Sequence, residues 1–212
     1  NNDKIDGFVA DLSDLETVKQ FAKSIHEIPQ LDVLINNAGV FKSNIEKSVD
    51  IRLTVNYLSP VLLTNNLIEL LQKTKSTRVI NLSSAAQASV SLAALKGQES
   101  LSTNEAYAQS KLALTMWTFA MAKKYPAIQF IAVNPGSLLN TNMVKEAYGH
   151  HWSPADKGAD ILVDLAIHPK HQNQSGVYFD NDQGVFGKAH GDAYDNFKIQ
   201  ELVAVTDEIL KL

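Results

Sequence analysis

Tyr107 and Lys111 set a phenol and an ammonium four residues apart, the spacing that puts both on one face of a helix. A lysine charge beside a tyrosine favours the phenolate and draws its pKa down from about 10 toward working pH, which suits a group that gives and takes a proton. The same spacing also fits a solvated helix face, so the chemistry depends on what else the chain brings to the pair. Polar residues recur in short clusters at Asp11-Leu12, Asn36-Asn37-Ala38-Gly39, Ser83-Ser84 and Asn134-Pro135-Gly136. Taken singly, each reads more simply as a turn or a helix cap than as a site. Asn56 lies among Leu53, Val55 and Leu58, and an amide with apolar neighbours needs hydrogen-bond partners. His168 and His171 are separated by Pro169, which breaks the helix a metal pair would need, so no metal site is expected. His150, His151 and Trp152 fall in a loop, where they either meet a substrate or face solvent.

The elements that must position these residues follow from periodicity. Ile5 to Ala10 reads as a short strand, running into a helix capped at Ser13 or Asp14 whose Leu15, Val18, Phe21, Ala22 and Ile25 share one face up to Pro29. Leu31 to Ile35 is a compact apolar strand of the fully buried kind. A long helical stretch spans about Ile45 to Lys73, with Pro60 predicting a kink or break. Arg78 to Leu82 is the next buried strand, and residues 85–104 form an irregular excursion. The helix bearing Tyr107 then runs to about Lys124 and is apolar nearly all round from Leu112 to Ala122, so it wants cover on two faces from the sheet or from a second subunit. Ile128 to Val133 is a strand, followed by a polar loop to about Asp156, a helix from Lys157 to Ile167, a strand at Val177 to Phe179 and a helix from about Asp192 to Lys211. This alternation predicts an α/β fold, an open parallel sheet covered on both faces. Ligands bind such sheets beyond the carboxyl ends of the strands, where the polar clusters fall.

At 212 residues and 45% hydrophobic content the chain reads as one soluble domain, 1–212. A formal charge of −4 without any basic run points away from nucleic acid and anionic membrane surfaces and toward a small-molecule partner. The absence of cysteine removes disulfide frameworks, cysteine-based zinc sites and thiol nucleophiles, and fits the cytoplasm. No apolar run reaches the ~20 residues of a spanning helix.

Standing in order, Asp11-Leu12, Asn36-Asn37-Ala38-Gly39, Asn56, Ser83-Ser84, Tyr107-x-x-x-Lys111 and Asn134-Pro135-Gly136 resemble the classical short-chain dehydrogenase/reductase family. Its members are Rossmann-like, doubly wound, nicotinamide-dependent oxidoreductases. The wording around Ile35 to Val40 and the gap between Ser84 and Tyr107 are most similar to the retinol-dehydrogenase-like branch. The resemblance implies interconversion of an alcohol with its ketone or aldehyde, using NAD or NADP. Tyr107 would be the general acid/base, and Lys111 would lower its pKa and hold the nicotinamide ribose. Ser84, preferred to Ser83, would hydrogen-bond the substrate oxygen, and Asn56 would position a water that relays protons to Lys111. Asp11 and Leu12 would meet the adenine, while Asn37, Ala38 and Gly39 would line the adenosine and ribose path. Pro135, Gly136 and Leu138 would flank the nicotinamide, with Thr141 reaching its carboxamide. A homodimer or homotetramer is left open by the apolar faces of the Tyr107 and Asn56 helices. The alternative is a family-like protein that senses dinucleotide or serves as a scaffold without catalysis.

The sequence departs from the family pattern in two places. Thr141 stands five residues after Gly136 where the family usually has four, so either the loop is one residue longer or Asn140 takes that role. The family also opens with two strand–helix units and a glycine-rich phosphate loop that have no counterpart here. The expectation is that roughly 50 to 60 further residues precede Asn1 in the working protein. The residue that distinguishes NAD from NADP would lie among them.

Overall fold

The computed structural model describes residues 5–43, 48–149 and 153–212. Helix α1 (Leu15–Ile25) is followed by strand β1 (Val33–Asn36), the short helix α2 (Ile51–Leu53), a π-helical turn over Thr54–Leu58, and α3 (Ser59–Leu71). Then come β2 (Arg78–Leu82), α4 (Leu92–Leu95), α5 (Thr103–Lys124), β3 (Gln129–Asn134), α6 (Asn142–Tyr148) and α7 (Ala155–Ile167). The antiparallel pair β4 (Val177–Asp180) and β5 (Val185–Gly187) precedes the last helix, α8 (Asn196–Leu210). Among the described residues five strands form one sheet in the order β1-β2-β3-β4-β5, parallel from β1 to β4. This is the α/β architecture expected from the alternation of strand and helix.

Side chains that alternate along a strand divide between two cores. Val79 of β2 and Phe130 and Ala132 of β3 pack with α1, α3, α5 and α8, whereas Ile80, Leu82, Ile131 and Val133 pack with Leu165, Ile161 and Leu162 of α7. Every residue of α5 from Gln109 to Phe119 is buried. The helix is covered within the chain by β2, β3, the π-helical turn and α8, so its all-round apolarity is explained by sheet and helix packing. An amide relay, half-buried at its Asn36 end, ties the layers together: Asn36 Nδ2 donates to Asn81 Oδ1 at 2.8 Å, and Asn81 Nδ2 donates to Thr118 Oγ1 of α5 at 2.9 Å.

The long helical stretch is not continuous. Pro60 cannot donate the N–H that an α-helix would bring to the carbonyl of Asn56, and the chain instead widens into the π turn, with Ser59 N–H reaching Thr54 O. Ile45, where that stretch was expected to begin, lies outside the described residues. The expected strand at Ile5 to Ala10 does not form. Ile5, Phe8 and Val9 are exposed, and among the described residues no neighbouring strand pairs with this stretch, without which a strand does not persist. β1 is correspondingly the edge strand, and Ile35, pointing to the α7 side, is 38% exposed rather than fully buried. The expected polar loop after Gly136 contains α6, capped by Thr141 Oγ1 accepting from Val144 N–H. β5 and α4 were not expected either, and α8 begins at Asn196, where Asp195 caps it, rather than near Asp192. Among the described residues no helix is long and apolar enough to cross a membrane.

Candidate active site

The site lies at the carboxyl ends of β1, β2 and β3 and is closed on one side by α5. Ser102 starts α5 with a reciprocal capping box: its hydroxyl accepts from Glu105 N–H while the Glu105 carboxylate accepts from Ser102 N–H. One turn further on, Tyr107 and Lys111 face the same cleft, with Lys111 Nζ 5.6 Å from the Tyr107 ring centroid. Phe41 packs edge-on against Tyr107, centroids 5.0 Å apart. Lys111 is only 4% exposed, and its ammonium donates to Leu82 O at 2.7 Å. Burial, which penalises the charged form, pulls its pKa down to about 8.

Asn56 projects from the π turn and has partners for both polar atoms. Oδ1 accepts from Val40 N–H at 2.8 Å, and Nδ2 donates to Val40 O at 3.0 Å and Ser110 Oγ at 3.1 Å. It therefore staples the loop after β1 to α5. A Cβ on Gly39 would stand 3.2 Å from Asn56 Oδ1 and 3.6 Å from Lys111 Nζ, so glycine keeps open the space beside the ammonium.

Three cavities adjoin along this edge. The largest, about 510 Å³, is lined by Asn37, Ala38, Gly39, Ser83, Tyr107, Lys111, Pro135, Gly136 and Thr141, with Leu139, Met143 and Gly158 among its apolar walls. A second, of about 420 Å³, shares Tyr107 and Gly136 and adds Ser84, Phe41, Leu138 and Val144. The third, about 240 Å³, runs from Asn37 and Ala38 past Leu12 and Phe21. The two serines are separated: Ser83 is 3% exposed, donates to Lys111 O at 3.1 Å and shares a hydrogen bond with Thr115 Oγ1 at 2.7 Å, whereas Ser84 lines the second cavity with Tyr107. Thr141 lines the largest cavity, while Asn140 is turned toward Ser153 O through its backbone N–H. Leu138 adopts a positive φ of 48° beside Gly136 at 123°, which gives the loop its sharp turn.

Asp11 lies apart from these cavities. It is exposed, and its carboxylate accepts from Ser13 N–H; Leu12 reaches the smallest cavity, its carbonyl held by Ser59 Oγ. His150, His151 and Trp152 lie outside the described residues. His171 pairs with Asp164 at 2.8 Å, and neither residue lines any of these three cavities. The sequence reading missed Phe41, Met143 and Val144; the apolar positions of a capped Thr141-x-x-Val144 turn were the available signal for the last two.

Residues 1–151 match the family model described as short chain dehydrogenase, and the chain belongs to that family of oxidoreductases. Within it the chain falls with the retinol-dehydrogenase-like branch. It is 30% identical to human polyprenol dehydrogenase over 211 residues, covering 86% of this chain and 62% of that protein. It is 35% identical to bovine retinol dehydrogenase 12 over 146 residues, covering 65% of this chain and 46% of that protein. The chain thus spans about half to three fifths of the length of these curated relatives. Among solved structures, an uncharacterised protein from Mycobacterium paratuberculosis superposes with a TM-score of 0.74 at 26% identity, covering 95% of this chain and 74% of its own.

Proposed function

We propose that the chain carries the proton-transfer and nicotinamide side of an NAD- or NADP-dependent enzyme that interconverts an alcohol with its ketone or aldehyde. The observation that carries this reading is the convergence of Tyr107, a buried Lys111 and Ser84 on adjoining cavities at three parallel strand ends. In reduction the Tyr107 phenol gives its proton to the carbonyl oxygen; in oxidation it takes the proton of the hydroxyl. Lys111, with a pKa of about 8, is mostly charged near neutral pH, and its charge lowers the work of forming the phenolate. Ser84 donates to the substrate oxygen as charge develops there. Asn56 holds the loop through Val40 and positions a water that relays protons to Lys111.

The residues present fit a nicotinamide dinucleotide. Gly39 leaves room beside an ammonium, and Asn37, Ala38, Pro135, Gly136 and Thr141 surround the same cavity, into which a ribose and a nicotinamide ring would be received by Lys111, Tyr107 and Thr141. Leu138 and Leu12 extend this lining at its two ends, and Asp11 supports the turn before α1. Bound there, the dinucleotide supplies hydride exchange at the substrate carbon. The substrate's carbon skeleton lies against Phe41, Leu138, Met143 and Val144, an apolar wall suited to hydrocarbon-rich alcohols. The test is oxidation of NADH and NADPH with a panel of aldehydes and ketones, comparing wild type with Tyr107→Phe. Turnover that depends on Tyr107 is expected, and equal rates in both proteins would overturn the assignment.

A further inference from the structure

Ser84 stands where the chain leaves the sheet. β2 ends at Leu82, and the segment from Ser83 to Ser91 has no helix or strand, so no sheet ladder fixes the Ser84 peptide. Its carbonyl nevertheless receives two donors from outside: Tyr178 O–H at 3.0 Å and Gln87 Nε2 at 2.8 Å. Tyr178 is 4% exposed, in the body of β4, paired with Ala132 on one side and Gly187 on the other. Gln87 is itself held from a third direction, its Oε1 accepting from His190 N–H at 2.9 Å.

We infer that Tyr178, together with Gln87, is a positioning residue for Ser84: the two donors clamp the Ser84 carbonyl and so aim its hydroxyl at the substrate oxygen. This rests on the role proposed for Ser84 above. The hydroxyl group agrees with it. Ser84 Oγ accepts from Ala86 N–H at 3.1 Å, which occupies a lone pair and leaves the O–H to donate into the cavity shared with Tyr107. Burial, reinforced by Asp180 and Asp182, holds the Tyr178 phenol well above its ordinary value, so it stays a donor at any working pH. A phenol on a paired strand is a stiff anchor, and misplacing a reacting group by about 1 Å is worth up to ~100-fold in rate.

The experiment uses the full-length protein and four variants: Tyr178→Phe, which removes one oxygen and keeps the ring, Gln87→Ala, Ser84→Ala, and Tyr178→Phe with Ser84→Ala. The clamp predicts that Tyr178→Phe lowers kcat by about tenfold with the KM for dinucleotide unchanged, and that it slows the Ser84→Ala enzyme no further. Losses that multiply in the double variant would overturn it. A second readout is independent of turnover: amide hydrogen exchange over residues 84–88 should quicken in Tyr178→Phe and in Gln87→Ala, with α5 unchanged. Exchange as slow as wild type in both variants would overturn the clamp. A wild type that reduces no carbonyl would instead overturn the active-site assignment, and the exchange data would still decide the clamp.

Discussion

Lys111→Met separates the cost of burying a charge from the use made of it. Lys111 is 4% exposed, and its ammonium donates to Leu82 O at 2.7 Å and has no carboxylate partner among the described residues within ion-pair reach. Burial lowers its pKa from 10.5 to about 8, which at ~1.36 kcal/mol per pH unit is a cost of ~3 kcal/mol. Below about pH 8 the lysine is protonated in folded and unfolded chains alike, and the whole cost is present. Between about pH 8 and 10.5 the folded chain gives up the proton while the unfolded chain keeps it, so the wild type gains stability from this group as pH rises. Methionine fills similar volume and binds no proton, but it leaves Leu82 O without its donor, a loss of ~1–3 kcal/mol at every pH because a neutral amine also donates. At pH 7 the two effects oppose, and the variant should unfold within ~2 kcal/mol of wild type. Toward pH 10 the difference should move by ~2–3 kcal/mol in favour of the wild type. Urea unfolding of both proteins at pH 7, 8, 9 and 10, followed by tryptophan fluorescence, reads this directly. Other titrating groups are common to both proteins and cancel in the difference. A difference that stays flat across that range would refute the buried, depressed lysine.

Tyr107→Phe keeps the edge-on contact with Phe41 and should lower turnover by about 10²- to 10⁴-fold, with an unchanged circular dichroism melt. Ser102→Ala removes the capping box at the start of α5 and should cost ~1 kcal/mol, read as a lower urea midpoint. Gly97→Ala places a Cβ 2.7 Å from Ser48 O at a φ of +74° and should lower Tm by roughly 5 °C, more than Ala at an ordinary surface position. The Asp164 carboxyl is held below its usual range, first by Lys170 and then, against the effect of burial, by His171. A depressed carboxylate contributes stability above its unfolded pKa of ~3.9 that is lost as pH falls through the folded one. Asp164→Asn should therefore be less stable than wild type at pH 6, and the gap should narrow as pH falls below the ordinary carboxylate range and through the folded-state value, measured as urea midpoints.

The constellation itself was legible in the sequence because its chemistry is carried by residue types at strand ends, and strand ends are marked by apolar runs giving way to polar clusters. Asn37, Gly39, Ser84, Tyr107, Lys111 and Gly136 gather on adjoining cavities as that pattern implies. What escaped depended on the tertiary setting. The Ile5 to Ala10 stretch has strand-like alternation but pairs with no strand among the described residues, and local pattern does not report tertiary pairing. The residues of α6 read as a polar loop because a single seven-residue helix shows only two turns of periodicity. Tyr178 reads as an ordinary buried strand residue, and nothing local indicates that its hydroxyl meets a carbonyl 94 positions earlier. The π turn was half legible: Pro60 announced a break, but not that the extra residue would aim Asn56 at both Val40 and Ser110.

The central claim is that Tyr107 completes a hydride exchange between a nicotinamide and a carbonyl carbon. The most direct measurement is isotope transfer. The full-length protein is incubated with reduced dinucleotide carrying deuterium at both C4 positions of the nicotinamide and with an apolar aldehyde, and the alcohol is examined by mass spectrometry. The account predicts one deuterium at the carbinol carbon from wild type and little from Tyr107→Phe in the same time. Alcohol formed without deuterium, or labelled equally fast by the two proteins, would contradict it.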